Sequence, residues 1–328
     1  MENKIFHASF YNFEGMALEL FHFQHKNNPL YRQFSNSLQV DPYRVDSITK
    51  IPFLPVELFK SHAIKSTEFE AETIFESSGT TTSTTSRHFI KSLSLYKNSF
   101  IHGFELFYGN PSEWCIIGLL PSYLERTNSS LVYMVNELIK QSGHTLSGFY
   151  LDDHDKLHHT LLHNEILQQP TLLISVTFGI LDFADKHTMR LSSTVIIETG
   201  GMKGRRAEIT REEVHSKLKE KLGVENVHSE YGMTELLSQA YSRKDGLFKC
   251  PPWMQVLIRE EDDPLHVRRS PKLKNCLTGL LNIIDLANIY SCAFIATDDI
   301  GKLHHNGCFE VVGRTDASDV RGCSLLVI

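Results

Sequence analysis

Apolar residues near the start of the chain recur at the three- and four-residue spacing of a helix. Within residues 1–40, one helix face collects the apolar side chains of Phe13, Met16, Leu20 and Phe23. The Asn28-Pro29 pair interrupts this pattern. Residues 51–59 are apolar but contain two prolines, so they suit neither a central strand nor a regular helix. Helical spacing returns over residues 93–108.

From residue 114 onward, short apolar runs alternate with segments of helical spacing. The runs predict buried strands at 114–120, 171–177 and 194–198, and residues 227–228 begin a fourth, short extended strand. The intervening segments predict helices at 129–140, 158–167 and 210–222. The last helix has a capping box at Thr210 and Glu213 and a stop signal at Gly223. Strands that alternate with helices indicate βαβ units and a largely parallel sheet.

Two glycine-containing pairs come directly after predicted strands. Gly200-Gly201 follows the strand at 194–198, and Tyr231-Gly232 follows the strand at 227–228. Ligands of parallel α/β sheets bind at the carboxyl ends of the strands, so we expect both pairs at a ligand site.

From residue 253 the pattern changes to short strands separated by turn residues. The strand candidates are residues 256–258, 279–284, 292–295 and 308–312. We therefore predict an α/β fold of layered sheets, with an αβ part over residues 1–250 and a β-rich, antiparallel C-terminal subdomain over 251–328. No long Gly/Pro/Ser-rich linker separates the two parts, so we treat them as one body.

The composition argues against several classes of protein. Hydrophobic residues make up 41% of the 328 positions, which is enough for a sizeable core. A net charge of −6 argues against a nucleic-acid partner, because duplex binders usually carry a basic face. The sequence shows no signal peptide and no apolar window long enough for a membrane span. Six cysteines without close pairing indicate free thiols, so we expect a cytoplasmic protein.

Residues 77–86 are hydroxyl-bearing except for one glycine, and they end at Arg87 and His88. The middle of the stretch contains Ser78, Gly79, Thr80 and Thr81. Small side chains and free backbone N–H groups suit an anion such as a phosphate. A Ser/Thr-rich linker is the alternative interpretation. A Walker-type phosphate loop is excluded, because no second glycine followed by Lys and Ser/Thr is present.

Three later stretches carry further candidate chemistry. They are Ser-Glu-Tyr-Gly-Met-Thr-Glu at 229–235, Thr-Asp-Asp-Ile-Gly at 297–301, which we interpret as an acidic turn, and Gly-Arg-Thr-Asp at 313–316. Each is common alone. In this order after a hydroxyl-rich loop, they resemble the adenylate-forming superfamily, which includes acyl- and aryl-CoA synthetases, firefly luciferase and peptide-synthetase adenylation domains. The resemblance implies the large-domain fold of that superfamily.

The closer resemblance is to the acyl-protein synthetases, the LuxE-type ligases of bacterial fatty-acid reductase systems. It runs over nearly the whole chain and rests on residues 51–55, 77–81, 86–88, 121–126, 198–206 and 228–235. It implies ATP-dependent activation of a fatty acid, expected to be long-chain, as an acyl-adenylate. A thiol would then take the acyl group, with an acyl reductase or a carrier protein as the expected partner.

The resemblance also implies roles for single residues around the nucleotide. The β- and γ-phosphates would be held by Ser78, Gly79, Thr80 and Thr81. Gly200 and Gly201 would lie against adenine, and Tyr231, beside Gly232, would stack on the base.

The remaining implied roles concern the reacting phosphate and the ribose. Thr234 would bond the α-phosphate, and Glu235 would bind Mg²⁺. Asp299 would take the ribose hydroxyls, and Arg314 would reach the ribose or the superfamily's hinge.

The sequence departs from the superfamily pattern in two places. The loop lacks a further glycine near Thr82 and ends in Arg87-His88 where many members have lysine, so its grip on the phosphates is expected to differ. The sequence stops at Ile328, just after the Gly313-Arg314 pair, so we expect the mobile C-terminal domain to be absent.

Cys323 matches the cysteine near the C-terminus that carries the acyl group in acyl-protein synthetases. A thiol with an ordinary pKa of about 8.5 is little ionised at neutral pH, and a cation such as Arg321 increases the thiolate fraction. The alternative is an apolar residue in a last strand.

Three other functions stay open: a CoA ligase of the same superfamily, a non-catalytic nucleotide-binding subunit of a reductase complex, and an acyltransferase that uses no ATP. A zinc site is also conceivable in the β-rich region, where the candidate ligands are Cys276, Cys292, His304, His305 and Cys308. These cysteines include no Cys-x-x-Cys pair to support it.

Overall fold

The computed structural model describes residues 1–77, 85–120, 128–150, 153–200, 209–269 and 276–315. Its α-helices are α1 (Glu2–Ile5), α2 (Phe13–Asn27), α3 (Pro29–Ser37), α4 (Leu58–Ser61), α5 (Leu93–Tyr108), α6 (Ser130–Ser142), α7 (His154–Ile166), α8 (Thr177–Lys186) and α9 (Arg211–Leu222). Its strands are β1 (Leu54–Pro55), β2 (Thr73–Glu76), β3 (Arg87–Ile90), β4 (Cys115–Leu119), β5 (Gly148–Phe149), β6 (Thr171–Val176), β7 (Thr194–Thr199), β8 (Val227–Tyr231), β9 (Ala240–Ser242), β10 (Met254–Arg259), β11 (Val267–Arg268), β12 (Leu277–Asp285), β13 (Phe294–Leu303) and β14 (Phe309–Arg314).

The helix boundaries follow the start and stop signals of the sequence. Asn28 separates α2 from α3, and its side chain caps α3 by accepting a hydrogen bond from the Tyr31 N–H at 3.0 Å. Thr210 and Glu213 form the predicted capping box of α9, and Gly223 ends that helix in the left-handed conformation at φ +64°.

The predicted parallel sheet is confirmed. Six strands follow the order β5-β4-β6-β7-β8-β9. The first five run parallel, and β9 joins the edge antiparallel to β8. Helices α6 to α9 connect successive parallel strands, which is the βαβ arrangement expected from the alternation of strands and helices.

A second six-stranded sheet contains the C-terminal strands. Its order is β1-β13-β12-β10-β11, and β14 pairs with β13. All pairs among β10 to β14 are antiparallel, whereas β1 joins β13 in parallel at the edge. The proline-broken segment at 51–59 thus supplies an edge strand of two residues. The predicted fold class, α/β with layered sheets and a β-rich C-terminal part, is confirmed.

Hydrophobic residues cover both faces of the parallel sheet. Ile116 and Leu172 belong to a core shared with α5, α6 and the antiparallel sheet. Ile117 and Leu173 belong to a second core, formed with α7, α8 and α9. Successive residues of a strand point to opposite faces, so the near-continuous apolar runs of the sequence serve both layers. Among the helices described, none combines the length and hydropathy needed to cross a bilayer.

Some elements differ from the predictions. Helix α8 begins directly after β6, inside an apolar stretch that carries no boundary signal in the sequence. The predicted acidic turn at 297–301 is wrong, because these residues lie within β13. Strands β2 and β3 form a separate antiparallel hairpin for which the sequence analysis predicts no strands.

Candidate active site

The hydroxyl-rich stretch connects the two strands of the β2–β3 hairpin. Glu76 of β2 is paired with Arg87 of β3. Beyond this pair, the Ser77 N–H donates to the Ser86 carbonyl at 3.1 Å, and the Ser86 N–H donates to Ser77 Oγ at 2.9 Å. These bonds hold both ends of the stretch together. The candidate phosphate-binding residues Ser78, Gly79, Thr80 and Thr81 lie outside the described residues, as do Gly201 and Cys323.

The carboxyl ends of β7 and β8 lie side by side, as the sequence predicts. Thr199 is paired with Glu230 in the last register position of the two strands. Gly200 follows β7 and is exposed, and Tyr231 is the last residue of β8. Gly200 and Tyr231 therefore lie at the sheet edge where ligands of such folds bind.

Tyr231, Asp299 and Arg314 form one hydrogen-bonded group between the two sheets. The Tyr231 hydroxyl donates to Asp299 Oδ2 at 2.7 Å, and Arg314 Nε donates to Asp299 Oδ1 at 2.5 Å. Burial, and then the neighbouring Asp299 carboxylate, raise the pKa of Tyr231 well above its usual value. The Tyr231 ring meets Phe248 and Phe309 edge to face, with centroid distances of 5.9 and 5.3 Å. The three predicted nucleotide-binding residues are thus brought together.

Gly232 lies against the carboxylate of the residue two positions before it. A Cβ at Gly232 would overlap Glu230 Oε1 and would come within 3.4 Å of Gln239 Cγ. Glu230 is buried, and its burial, together with the nearby Glu198 carboxylate, raises its pKa to about 7. A larger residue at position 232 would therefore require the end of the Glu230 side chain to shift.

Glu235 carries a fully buried side chain. Among the described residues, neither Oε1 nor Oε2 of its carboxylate has a hydrogen-bond partner. Mg²⁺ prefers carboxylate oxygens and is often held by one or two carboxylates together with substrate phosphates. Among the described residues, no group of three or more His, Cys, Asp or Glu side chains could hold a metal ion without such help. The free Glu235 carboxylate fits a cation that shares its coordination with a ligand.

The His88 side chain contacts the backbone of the turn just before Glu235. Its Nδ1 lies 2.8 Å from the Thr234 carbonyl oxygen, and its Nε2 lies 3.1 Å from Asn288 Oδ1. Burial lowers the pKa of His88 to about 4, so the ring is neutral at neutral pH. The prediction that two basic side chains close the hydroxyl-rich stretch is therefore corrected: Arg87 is exposed, whereas His88 is a buried, neutral group.

A buried polar network underlies the same sheet edge. The Glu198 carboxylate accepts hydrogen bonds from Thr177 Oγ1 at 2.9 Å and Ser229 Oγ at 2.8 Å. Arg211 Nε and His215 Nε2 lie 3.8 and 3.6 Å from it. Burial alone would raise the pKa of Glu198, but His215 and Arg211 outweigh burial, and the pKa is lowered. The network links β7, β8, α8 and α9 below the site.

Glu198, Ser229 and Glu230 belong to motifs of the sequence, but the motifs do not indicate that these residues form a buried ionic group. Glu198 and Ser229 are neighbours in the register of β7 and β8, as are Thr199 and Glu230. Since the pairs alternate along the strands, one carboxylate points to each face of the sheet. The signal in the sequence is the charged residue at the end of each apolar or extended run.

No protein-family model matches the chain, and no curated protein matches it. Solved structures do match. A 2-hydroxyisobutyryl-CoA ligase in complex with 2-HIB-AMP and CoA superposes with a TM-score of 0.67 at 12% identity, covering 94% of this chain and 70% of that chain. ATP-bound MatB from Rhodopseudomonas palustris superposes with a TM-score of 0.51 at 15% identity, covering 76% of this chain and 50% of that chain.

O-succinylbenzoate coenzyme A synthetase (MenE) from Bacillus subtilis, in complex with AMP, also gives a TM-score of 0.51 at 15% identity, covering 77% of this chain and 51% of that chain. The chain thus spans 70% of the ligase and about half of the other two. The three structures contain 2-HIB-AMP with CoA, ATP and AMP, respectively. At these identities the likeness establishes the fold, which is the α/β fold of adenylate-forming enzymes.

Proposed function

We propose that this protein activates a carboxylic acid with ATP, forming an acyl-adenylate and pyrophosphate, and passes the acyl group to a thiol. One observation carries the proposal. The fully buried Glu235 carboxylate, directly after Thr234 in the candidate site, finds no hydrogen-bond partner for either oxygen in the part of the chain that the structure describes. An unpartnered buried carboxylate is costly for the fold, so a ligand-binding role explains its presence.

In this proposal the residues act mainly by positioning and charge stabilisation. Glu235 would hold Mg²⁺, which neutralises phosphate charge when bound. Thr234 would bond the α-phosphate, where the acid carboxylate attacks. Tyr231 would offer its ring to adenine. Asp299 accepts from Tyr231 and Arg314 and retains lone pairs for the ribose hydroxyls.

The remaining contacts of the proposal lie at the rim of the site. Gly200 and Gly201 would allow adenine to approach the backbone. The β- and γ-phosphates would be bound by Ser78, Gly79, Thr80 and Thr81.

The sequence resemblance supports finer proposals. We infer that the acid is a long-chain fatty acid, that Cys323 carries the acyl group, and that an acyl reductase or carrier protein receives it. We also keep the division into an αβ part at 1–250 and a β-rich subdomain at 251–328. A CoA ligase is the second candidate, favoured by the likeness to a CoA ligase that was solved with CoA.

ATP–pyrophosphate exchange tests the proposal. Purified protein with Mg²⁺ is assayed with acids from acetate to palmitate and with benzoate. We expect exchange that depends on one class of acid and is lost in Glu235→Ala. His187→Gln, on the opposite side of the parallel sheet near α7, serves as the control and should retain exchange. ATP binding without exchange for any acid would contradict the proposal and favour a non-catalytic nucleotide-binding subunit.

A further inference from the structure

His88 connects two elements that the proposed function requires to act together. It lies on β3, two residues after the hydroxyl-rich stretch ends at Ser86. Its Nδ1 contacts the Thr234 carbonyl oxygen at 2.8 Å, and its Nε2 contacts Asn288 Oδ1 at 3.1 Å. Asn288 in turn donates from Nδ2 to the Glu235 carbonyl at 2.7 Å. The hairpin and the turn at 234–235 are thus linked through two side chains.

We propose, on the basis of the proposed function, that His88 is a positioning residue that holds the Thr234–Glu235 turn in register with the β2–β3 hairpin. Asn288 is its second support. The pair would hold the backbone of the residues proposed to bind the α-phosphate and Mg²⁺ at a constant distance from strand β3. We name His88 and Asn288 the turn clamp.

Burial makes the turn clamp stiff. His88 and Asn288 are each 1% exposed, so water does not replace a hydrogen bond that breaks. The His88 ring packs edge to face on Phe59 at 5.7 Å. The Asn288 carbonyl accepts a hydrogen bond from Gln24 Nε2 at 2.8 Å, and Gln24 on α2 is fully buried. The clamp is therefore anchored in the core on both sides.

The contacts of the clamp are to backbone atoms of the turn. The Thr234 and Glu235 carbonyl oxygens can only accept, so the neutral His88 ring carries its proton on Nδ1, and Asn288 presents its NH₂ group to Glu235. Nε2 then has no proton, so its approach to Asn288 Oδ1 is a packing contact and not a hydrogen bond. The backbone of the turn is fixed, while the Glu235 carboxylate has no hydrogen-bond partner among the described residues. The hydrogen bonds to the backbone therefore hold the Glu235 side chain in position, and its carboxylate stays available for a ligand.

Two amide variants separate the hydrogen bond of His88 to Thr234 from its contact with Asn288. In His88→Asn the amide nitrogen takes the place of Nδ1 and retains the bond to Thr234. In His88→Gln it takes the place of Nε2 and retains the contact with Asn288. Both variants are uncharged and end in the same carboxamide group, and they differ from each other by one methylene.

We expect His88→Gln to lower kcat of pyrophosphate exchange by about 100-fold, because a displacement of the reacting groups by about 1 Å reduces the rate by that factor. His88→Asn should stay within about fivefold of wild type, which corresponds to one weakened hydrogen bond. KM for ATP should change less than kcat in both. The double variant His88→Gln/Asn288→Ala should lose less kcat than the product of the two single-variant losses. The two side chains hold the same turn, so their effects are not independent.

Hydrogen–deuterium exchange gives a readout that does not depend on activity. Amides in the peptide 229–239 should exchange faster in His88→Gln and at the wild-type rate in His88→Asn. Equal loss of activity and protection in both variants would overturn the proposal, because His88 would then only fill space. Unchanged kinetics and protection in both would overturn it as well. If wild type supports no pyrophosphate exchange, the proposed function fails, and the protection of the turn decides the clamp alone.

Discussion

The Tyr231 hydroxyl donates a hydrogen bond to Asp299 at 2.7 Å and so joins the end of the parallel strand β8 to β13 of the antiparallel sheet. Arg314, paired in register with Asp299 on β14, donates to the other carboxylate oxygen. The Asp299 and Arg314 side chains are 9% and 18% exposed. The ion pair is therefore largely desolvated, and each partner depends on the other.

Asp299→Asn should weaken both the fold and nucleotide binding. The substitution leaves the Arg314 guanidinium without its counterion, which costs about 3 kcal/mol of unfolding free energy. Tyr231→Phe keeps the ring and removes one hydrogen bond, so it should cost about 1 kcal/mol. Urea denaturation and calorimetric titration with ATP measure the two effects. Equal losses in the two variants would show that the ion pair contributes nothing beyond the hydrogen bond.

Glu235→Gln should lose activity but gain stability. The substitution keeps the size of the side chain and removes a buried charge that has no hydrogen-bond partner among the described residues, so the unfolding free energy should rise by about 1–3 kcal/mol. The matched control is Glu137→Gln, because the buried Glu137 carboxylate contacts Lys97 and Lys140 at 2.6 Å each. That variant should be destabilised. Thermal and urea denaturation of both variants decide the sign, and a loss of stability in Glu235→Gln would argue against a free carboxylate.

Local patterns in the sequence are enough to predict most of the αβ part. The apolar run at 194–198 and the capping box at Thr210 are local signals, and β7 and α9 form where they indicate. The sequence also predicts that Gly200 and Tyr231 lie at the same edge of the sheet, because the carboxyl ends of parallel strands meet there.

The contacts between distant segments could not be predicted in this way. Asp298 and Asp299 suggest a turn, because two adjacent carboxylates are unusual in a strand, yet Asp299 is stabilised there by Arg314. His88 appears in the sequence as a basic residue at the end of a loop. Its neutral state follows from burial, and it is buried against residues far along the chain, such as Asn288, 200 residues away.

Glu230 should make stability fall as the pH rises. Burial raises its pKa from an ordinary value of 4.5 to about 7. Below pH 4.5 the folded and unfolded states are both protonated, and the contribution to stability is complete. Between pH 4.5 and 7 the unfolded state releases the proton first, so roughly 3 kcal/mol is lost across that window. In Glu230→Gln this loss is absent, and the variant should gain on wild type as the pH increases from 5 to 8.

The buried histidines should act in the opposite direction. Burial lowers the pKa of His88 and of His228 from 6.5 to about 4. Their contribution to stability is complete above pH 6.5 and is lost as the pH falls toward 4, because the unfolded state takes up protons first.

Denaturation curves of wild type and Glu230→Gln between pH 5 and 8 isolate the contribution of the Glu230 carboxylate. A difference between the two that does not change with pH would contradict the raised pKa of Glu230.

Asn282 should be replaceable by an apolar residue with a gain in stability. It lies in β12 and is fully buried, and neither of its amide atoms has a hydrogen-bond partner among residues 1–77, 85–120, 128–150, 153–200, 209–269 and 276–315. Its strand neighbours in register are Leu257 and Ala296, so the side chain lies among apolar groups. Asn282→Val removes the unpaired amide and suits a strand, so the unfolding free energy should rise by about 1–3 kcal/mol. Asn282→Asp, of the same size but charged, should lower it. Urea denaturation measures both, and a loss of stability in the valine variant would show that an ordered water satisfies the amide.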